Sequence, residues 1–146
     1  MPSKKQKIKQ ATTATEAGYS KRPLREKLGM KEGASSAVIE APADYASLVG
    51  TDAFDTELDL DAYDFLHFFT MSNIALQHIF PILSARLKKD GTLWISWPKK
   101  SSKMPTDLSE NDVRAIGLAA GLVDVKACAI DATWSGLKFV YRVKDR

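Results

Sequence analysis

YDFLHFFTMSNIALQHIFPILSARLKKDGTLWISW, residues 63–97, contains the unit from which the fold is read. Its first eight residues, YDFLHFFT, form a nearly unbroken aromatic and aliphatic run, the pattern of a strand buried on both faces. Ser72 stands where a helix N-cap belongs. Beyond it Ile74, Ile79, Ile82, Leu83 and Leu87 fall mostly on one helical stripe. Pro81 lacks an N–H, so it predicts a kink or a second helical segment. KKDG, residues 88–91, predicts a turn, and TLWISW, residues 92–97, a second buried strand rich in β-formers. A strand, a helix and a strand in succession imply a parallel pair joined by a crossover.

The same alternation continues on both sides. Upstream, PLREKLGMKEG (23–33) reads as a short helix closed by Gly29, ASSAVIEA (34–41) as a strand, and PADYASLVG (42–50) as a helix from Pro42 to Gly50. AFDTELDL (53–60) alternates weakly and predicts a peripheral strand. Downstream, Pro98 stops the strand's hydrogen-bond ladder. Ser109 and Asp112 have capping-box spacing, and Gly121 closes the helix they begin. LVDVKACAI (122–130) and LKFVYRV (137–143), flanking the turn DATWSG, predict an antiparallel hairpin. The expectation is an α/β fold: one Rossmann-like three-layer domain over residues 21–146, with a mixed sheet of about six strands, mostly parallel.

RLKKDGTLWISW, a polar loop, a helix ending in Gly-Leu-Val and a terminal hairpin resemble the second half of a class I SAM-dependent methyltransferase. GYS with PLREKLGMKEG, LWISWPKKSSKMPTDLSENDVR and GLVDVKACAIDATWSGLKFV resemble a family of small bacterial proteins of unknown function with this Rossmann-like core. That resemblance implies a truncated methyltransferase-like fold and no particular activity. Such folds hold a cofactor beside a Gly-rich turn after the first strand, because glycine accepts positive φ and lets the backbone approach the ligand. The matching stretch here, VIEAPADYASL, has no glycine. Pro42 removes a donor, and Asp44 places a carboxylate where an anion would otherwise sit. The expectation is therefore no cofactor, SAM being conceivable but its motif absent. Glu40 lies nearest the family's leading acidic position, the competing reading being a cap or surface carboxylate, and the resemblance offers Asp55 or Glu57 as the ribose-binding acid. About a dozen residues separate Val49 from Asp61, too few for the additional helix, strand and helix of a full methyltransferase.

In open parallel sheets ligands bind beyond the carboxyl ends of the strands. The candidate ligand rim is therefore Glu40, Thr70, Ser72, Asn73, Trp97, Lys99, Lys100 and Ser101. Lys99 and Lys100 suit a small anionic ligand; the competing reading is a solvated loop. Trp97 and Trp134 read as core lids and Cys128 as a small core residue. His67, in an aromatic strand, and His78, on a helix, each read as a satisfied core or boundary histidine; neither has metal-ligand spacing, and no nucleophile elbow or Walker loop is present.

Charge is unevenly distributed. Residues 1–27 carry +6 and the other 119 residues −3. Residues 1–20 contain too few apolar side chains to fold and read as a disordered basic tail. Lys4, Lys5, Lys7 and Lys9 suit either solubility or salt-sensitive contact with nucleic-acid phosphates. One cysteine rules out an intramolecular disulfide, and no apolar run is long enough to span a bilayer. The expected setting is the cytoplasm, with no membrane contact. The sequence thus points to a noncatalytic binding or regulatory protein with a small-ligand or protein partner. The alternatives are a divergent SAM- or nucleotide-using transferase and a nucleic-acid accessory protein.

Overall fold

The computed structural model describes residues 23–146. The expected tail, its four lysines and its boundary with the domain lie outside the described residues. The elements are α1 (Leu24–Leu28), β1 (Ser36–Ile39), α2 (Tyr45–Val49), β2 (Tyr63–Phe69), α3 (Asn73–Ala85), β3 (Leu87–Pro98), α4 (Glu110–Ala119), β4 (Leu122–Ala129) and β5 (Trp134–Tyr141). They build one sheet in the order β1-β2-β3-β5-β4. The first three strands are parallel, and β5 runs antiparallel to both β3 and β4.

Alternation along the strands produces the three layers. Leu66 and Phe68 of β2, Leu93, Ile95 and Trp97 of β3, and Leu137 and Phe139 of β5 share one core with Leu76, Phe80 and Leu83 of α3 and Val113 of α4. Val38, Phe65, Phe69 and Trp94 project to the other face, against Leu28 and Met30 of the α1 region and Tyr45 and Val49 of α2. α4 lies close to the sheet because Gly117 has no side chain: a Cβ there would meet the Phe139 ring at 2.1 Å. The Trp94 indole N–H donates to the Leu28 carbonyl at 2.8 Å, which anchors the end of α1 to the sheet.

Four expectations change. The sheet has five strands: of AFDTELDL only Asp55 pairs, through an isolated parallel bridge to Ala37. The residues around it are too acidic and too short a run to extend the ladder. KKDG is part of β3 rather than a turn; Lys88, Lys89 and Asp90 are exposed, and the pairing with β2 shifts between Tyr63 and Phe65 to accommodate them. Pro81 sits inside a single 13-residue helix, so of the two expected effects it does not start a second segment. Pro98 still pairs with Trp134, and the Lys99 N–H continues to the Thr133 carbonyl at 2.8 Å, so the proline does not end the ladder. The capping box at Ser109 and Asp112 is present as expected.

Candidate functional site

β1 ends at Ile39, and the next residue, Glu40, has φ +59°. This is the left-handed conformation that the missing glycine would have supplied. In a residue with a Cβ it costs on the order of 1–2 kcal/mol. The reversal brings Ala41 and Pro42 over the sheet edge, and the Tyr45 N–H closes the turn on the Pro42 carbonyl at 3.0 Å.

The second wall is the β2–α3 connection. The Ser72 N–H donates to Thr70 Oγ1 at 3.2 Å, and Ser72 Oγ accepts from the Ala75 N–H at 3.1 Å as N-cap of α3. The loop before α4 is tied to this turn: Thr106 Oγ1 donates to the Met71 carbonyl at 3.0 Å, and the Asn73 N–H donates to Asp107 Oδ1 at 2.7 Å. The same loop presents Met104, and the start of β5 presents Trp134, whose ring meets Phe69 edge-on at 5.1 Å. Together these elements enclose a cleft of about 590 Å³. Among the described residues Glu40 is its only ionisable lining residue; Thr70 and Ser72 add hydroxyls, and Phe68, Phe69, Met71, Ile79, Met104 and Trp134 make it largely apolar.

The rim residues divide between two clefts. Glu40, Thr70 and Ser72 line the one just described. Trp97, Lys99 and Lys100 line a second, of about 410 Å³, between the end of β3 and the start of α4, where Glu110 also faces in. Asn73 and Ser101 line neither: the Asn73 carboxamide oxygen accepts from Gln77, and Ser101 is exposed in a 3₁₀ turn. Trp97 is buried, as a core lid should be, whereas Trp134 is half-buried and reaches the first cleft. Asp55 is committed to the fold, its carboxylate accepting from the Tyr63 hydroxyl at 2.5 Å. Glu57 is exposed and lines neither cleft.

Beneath the first cleft lies a buried polar chain. The Tyr45 hydroxyl is 2.8 Å from His67 Nδ1, and His67 Nε2 is 2.8 Å from Ser96 Oγ. All three residues are buried. Desolvation lowers the His67 pKa to about 3, so its ring is neutral near pH 7 and supplies one donor and one acceptor. The chain joins α2, just past the Glu40 turn, to β2 and β3. His67 is thus the satisfied core histidine expected, while His78 is exposed on α3. Among the described residues no three His, Cys, Asp or Glu side chains are grouped to hold a metal ion, and no helix is long and apolar enough to cross a membrane.

No protein-family model matches the chain, and no curated protein matches it in sequence. Solved structures do match. A SAM-dependent methyltransferase from Aquifex aeolicus superposes with a TM-score of 0.56 at 15% identity, over 80% of this chain and 86% of that one. Magnesium protoporphyrin IX methyltransferase from Synechocystis PCC 6803 with bound SAM gives 0.55 at 11% identity, over 82% and 74%. PigF with SAH gives 0.55 at 10% identity, over 83% of this chain and 62% of that one. Against the SAH-bound form of the Synechocystis enzyme the chain spans about half, 51%, of that protein's length. The fold is therefore methyltransferase-like. The expectation of no cofactor is corrected: it rested on the missing glycine turn, but the same fold holds SAM or SAH in these structures, and here Glu40 makes the left-handed turn itself.

Proposed function

We propose that this chain is a SAM-binding protein of methyltransferase-like fold, with the ligand in the cleft between the Glu40 turn and the β2–α3 connection. The observation that carries the reading is the character of that cleft, which among the described residues has one carboxylate, two hydroxyls, no cationic side chain, and otherwise thioether, aliphatic and aromatic walls. SAM carries a sulfonium, an ammonium, a carboxylate and an adenine but no phosphate, and is a net cation. A carboxylate and an aromatic face favour its cationic part, and the apolar walls suit the adenine. A nucleoside triphosphate would bring several negative charges to Glu40 with no cation among the described lining residues to offset them. The volume is within the range of small-molecule sites.

The role is binding or regulation rather than methyl transfer. Beyond β1, where a Rossmann sheet carries further strands to form the other side of its crevice, the described residues supply the single Asp55 bridge. The bound methyl donor would remain open to water on that side, whereas group transfer gains from its exclusion. Isothermal titration of the full chain with SAM tests the binding: saturable heat that is lost in Trp134→Ala supports it, and no heat at millimolar SAM overturns it. Transfer of label from methyl-labelled SAM to any acceptor in a cell extract, by the purified chain, would overturn the noncatalytic part.

A further inference from the structure

On the α1 side of the sheet, Lys126 of β4 stands directly opposite Lys138 of β5. Like charges so placed repel and cost stability. Lys27 and Lys31, at and just beyond the end of α1, complete the group. Among the described residues the ion pairs involve only Lys88 and Arg114, so none of these four lysines has a carboxylate partner. The charges acting on Lys138 are Lys126 and Lys31, which, with burial as the larger cause, lower its pKa. Those acting on the neighbouring Cys128 are Lys27 and Lys126. One local duty is visible: the Lys126 ammonium donates to the Lys27 carbonyl at 3.1 Å, at the end of α1. The Lys138 ammonium lies 4.0 Å from the point where a side chain on Gly29 would begin. A single carbonyl does not offset four cations gathered on one surface.

We infer that Lys27, Lys31, Lys126 and Lys138 form a binding surface for the phosphate backbone of duplex nucleic acid, distinct from both rim clefts. Four ammoniums without a carboxylate partner among the described residues are matched by closely spaced phosphates, whose neutralisation releases counterions. In sequence the surface follows directly on Lys21 and Arg22 and the lysines before them, so its positive charge is continued along the chain. Lysines supply its four charges, and none of the described aromatic residues is exposed for stacking on bases. This favours sequence-independent contact with a backbone over recognition of unstacked single strands.

The test is fluorescence anisotropy of the full chain with a labelled mixed-sequence duplex between 50 and 200 mM salt. Four neutralised phosphates contribute about 150-fold to the loss of affinity across that range, on top of whatever the other cations of the full chain add, and Lys126→Gln/Lys138→Gln should reduce that contribution to about 12-fold. Lys31→Gln, on an exposed side chain that cannot disturb the core, should lower the logarithmic salt slope by about 0.9 on its own. Lys99→Gln/Lys100→Gln should leave the slope unchanged. The inference is overturned if the rim pair lowers the slope as much as the patch variants do, if the patch variants leave it unchanged, or if polyglutamate displaces the duplex at equal charge concentration.

Discussion

Replacing His67 by Phe should remove most of the stability that the wild-type chain loses between pH 7.5 and pH 5. Unfolded, the imidazole has a pKa near 6.5; folded, burial holds it at about 3. Between those values the unfolded state binds a proton that the folded state does not. Stability is therefore complete above pH 6.5 and falls as the pH drops toward 3, by about 1.4 kcal/mol per pH unit. By pH 5 the loss amounts to about 2 kcal/mol, a large fraction of the 5–15 kcal/mol typical of a domain. Carboxylates contribute little above pH 5, and the only other histidine, His78, is exposed. In His67→Phe the Tyr45 and Ser96 hydroxyls lose their partner, at a cost of about 1–3 kcal/mol for each buried group left unpaired. That variant should be less stable at every pH, yet its stability should be nearly flat over this window. Urea unfolding followed by tryptophan fluorescence at half-unit pH intervals gives both profiles. Parallel profiles for the wild type and His67→Phe would refute the assignment of a buried, neutral imidazole.

Other outcomes follow from single side chains. Glu40→Gly removes the cost of a left-handed backbone while adding freedom to the unfolded chain, so urea midpoints should show a net gain of about 0.5–1 kcal/mol. The same change removes the cleft's carboxylate and should weaken SAM binding by roughly fivefold in isothermal titration, so that stability and affinity move in opposite directions. Gly117→Ala drives a methyl group into the Phe139 ring and should cost about 1–3 kcal/mol in urea unfolding, with partial rescue by Phe139→Leu. Ser109→Ala removes the acceptor of the Asp112 N–H and should lower stability by about 1 kcal/mol, read as the shift in thermal midpoint.

Much of the architecture is legible in the chain because it rests on local rules. The apolar runs at 63–70 and 92–97, the cap at Ser72, the capping box at Ser109 and the alternation of 137–143 each name an element without reference to distant residues. What was not legible depends on tertiary context. Lys88, Lys89 and Asp90 resemble a turn, yet they lie within β3 as an irregularity between the Tyr63–Leu87 and Phe65–Thr92 pairs, which distant β2 fixes. The rim was read as one surface because strand ends define a line; the loop carrying Met104, fastened to the Met71 carbonyl, divides it into two clefts. Glu40 was identified as a rim residue, but nothing in its neighbours announces a left-handed backbone in a residue with a Cβ. The pairing of Lys126 with Lys138 depends on register, and the irregularity between Asp124 and Lys126 makes that register unreadable from alternation alone.

The central claim is that the Glu40 cleft takes a positively charged, phosphate-free adenosyl ligand. A thermal-shift comparison of the full chain with SAM, SAH and ATP, each at the same millimolar concentration, tests it most directly. The account predicts the largest rise in midpoint with SAM, a smaller one with SAH, which lacks the sulfonium charge, and none with ATP. A rise with ATP equal to or above that with SAM would contradict it.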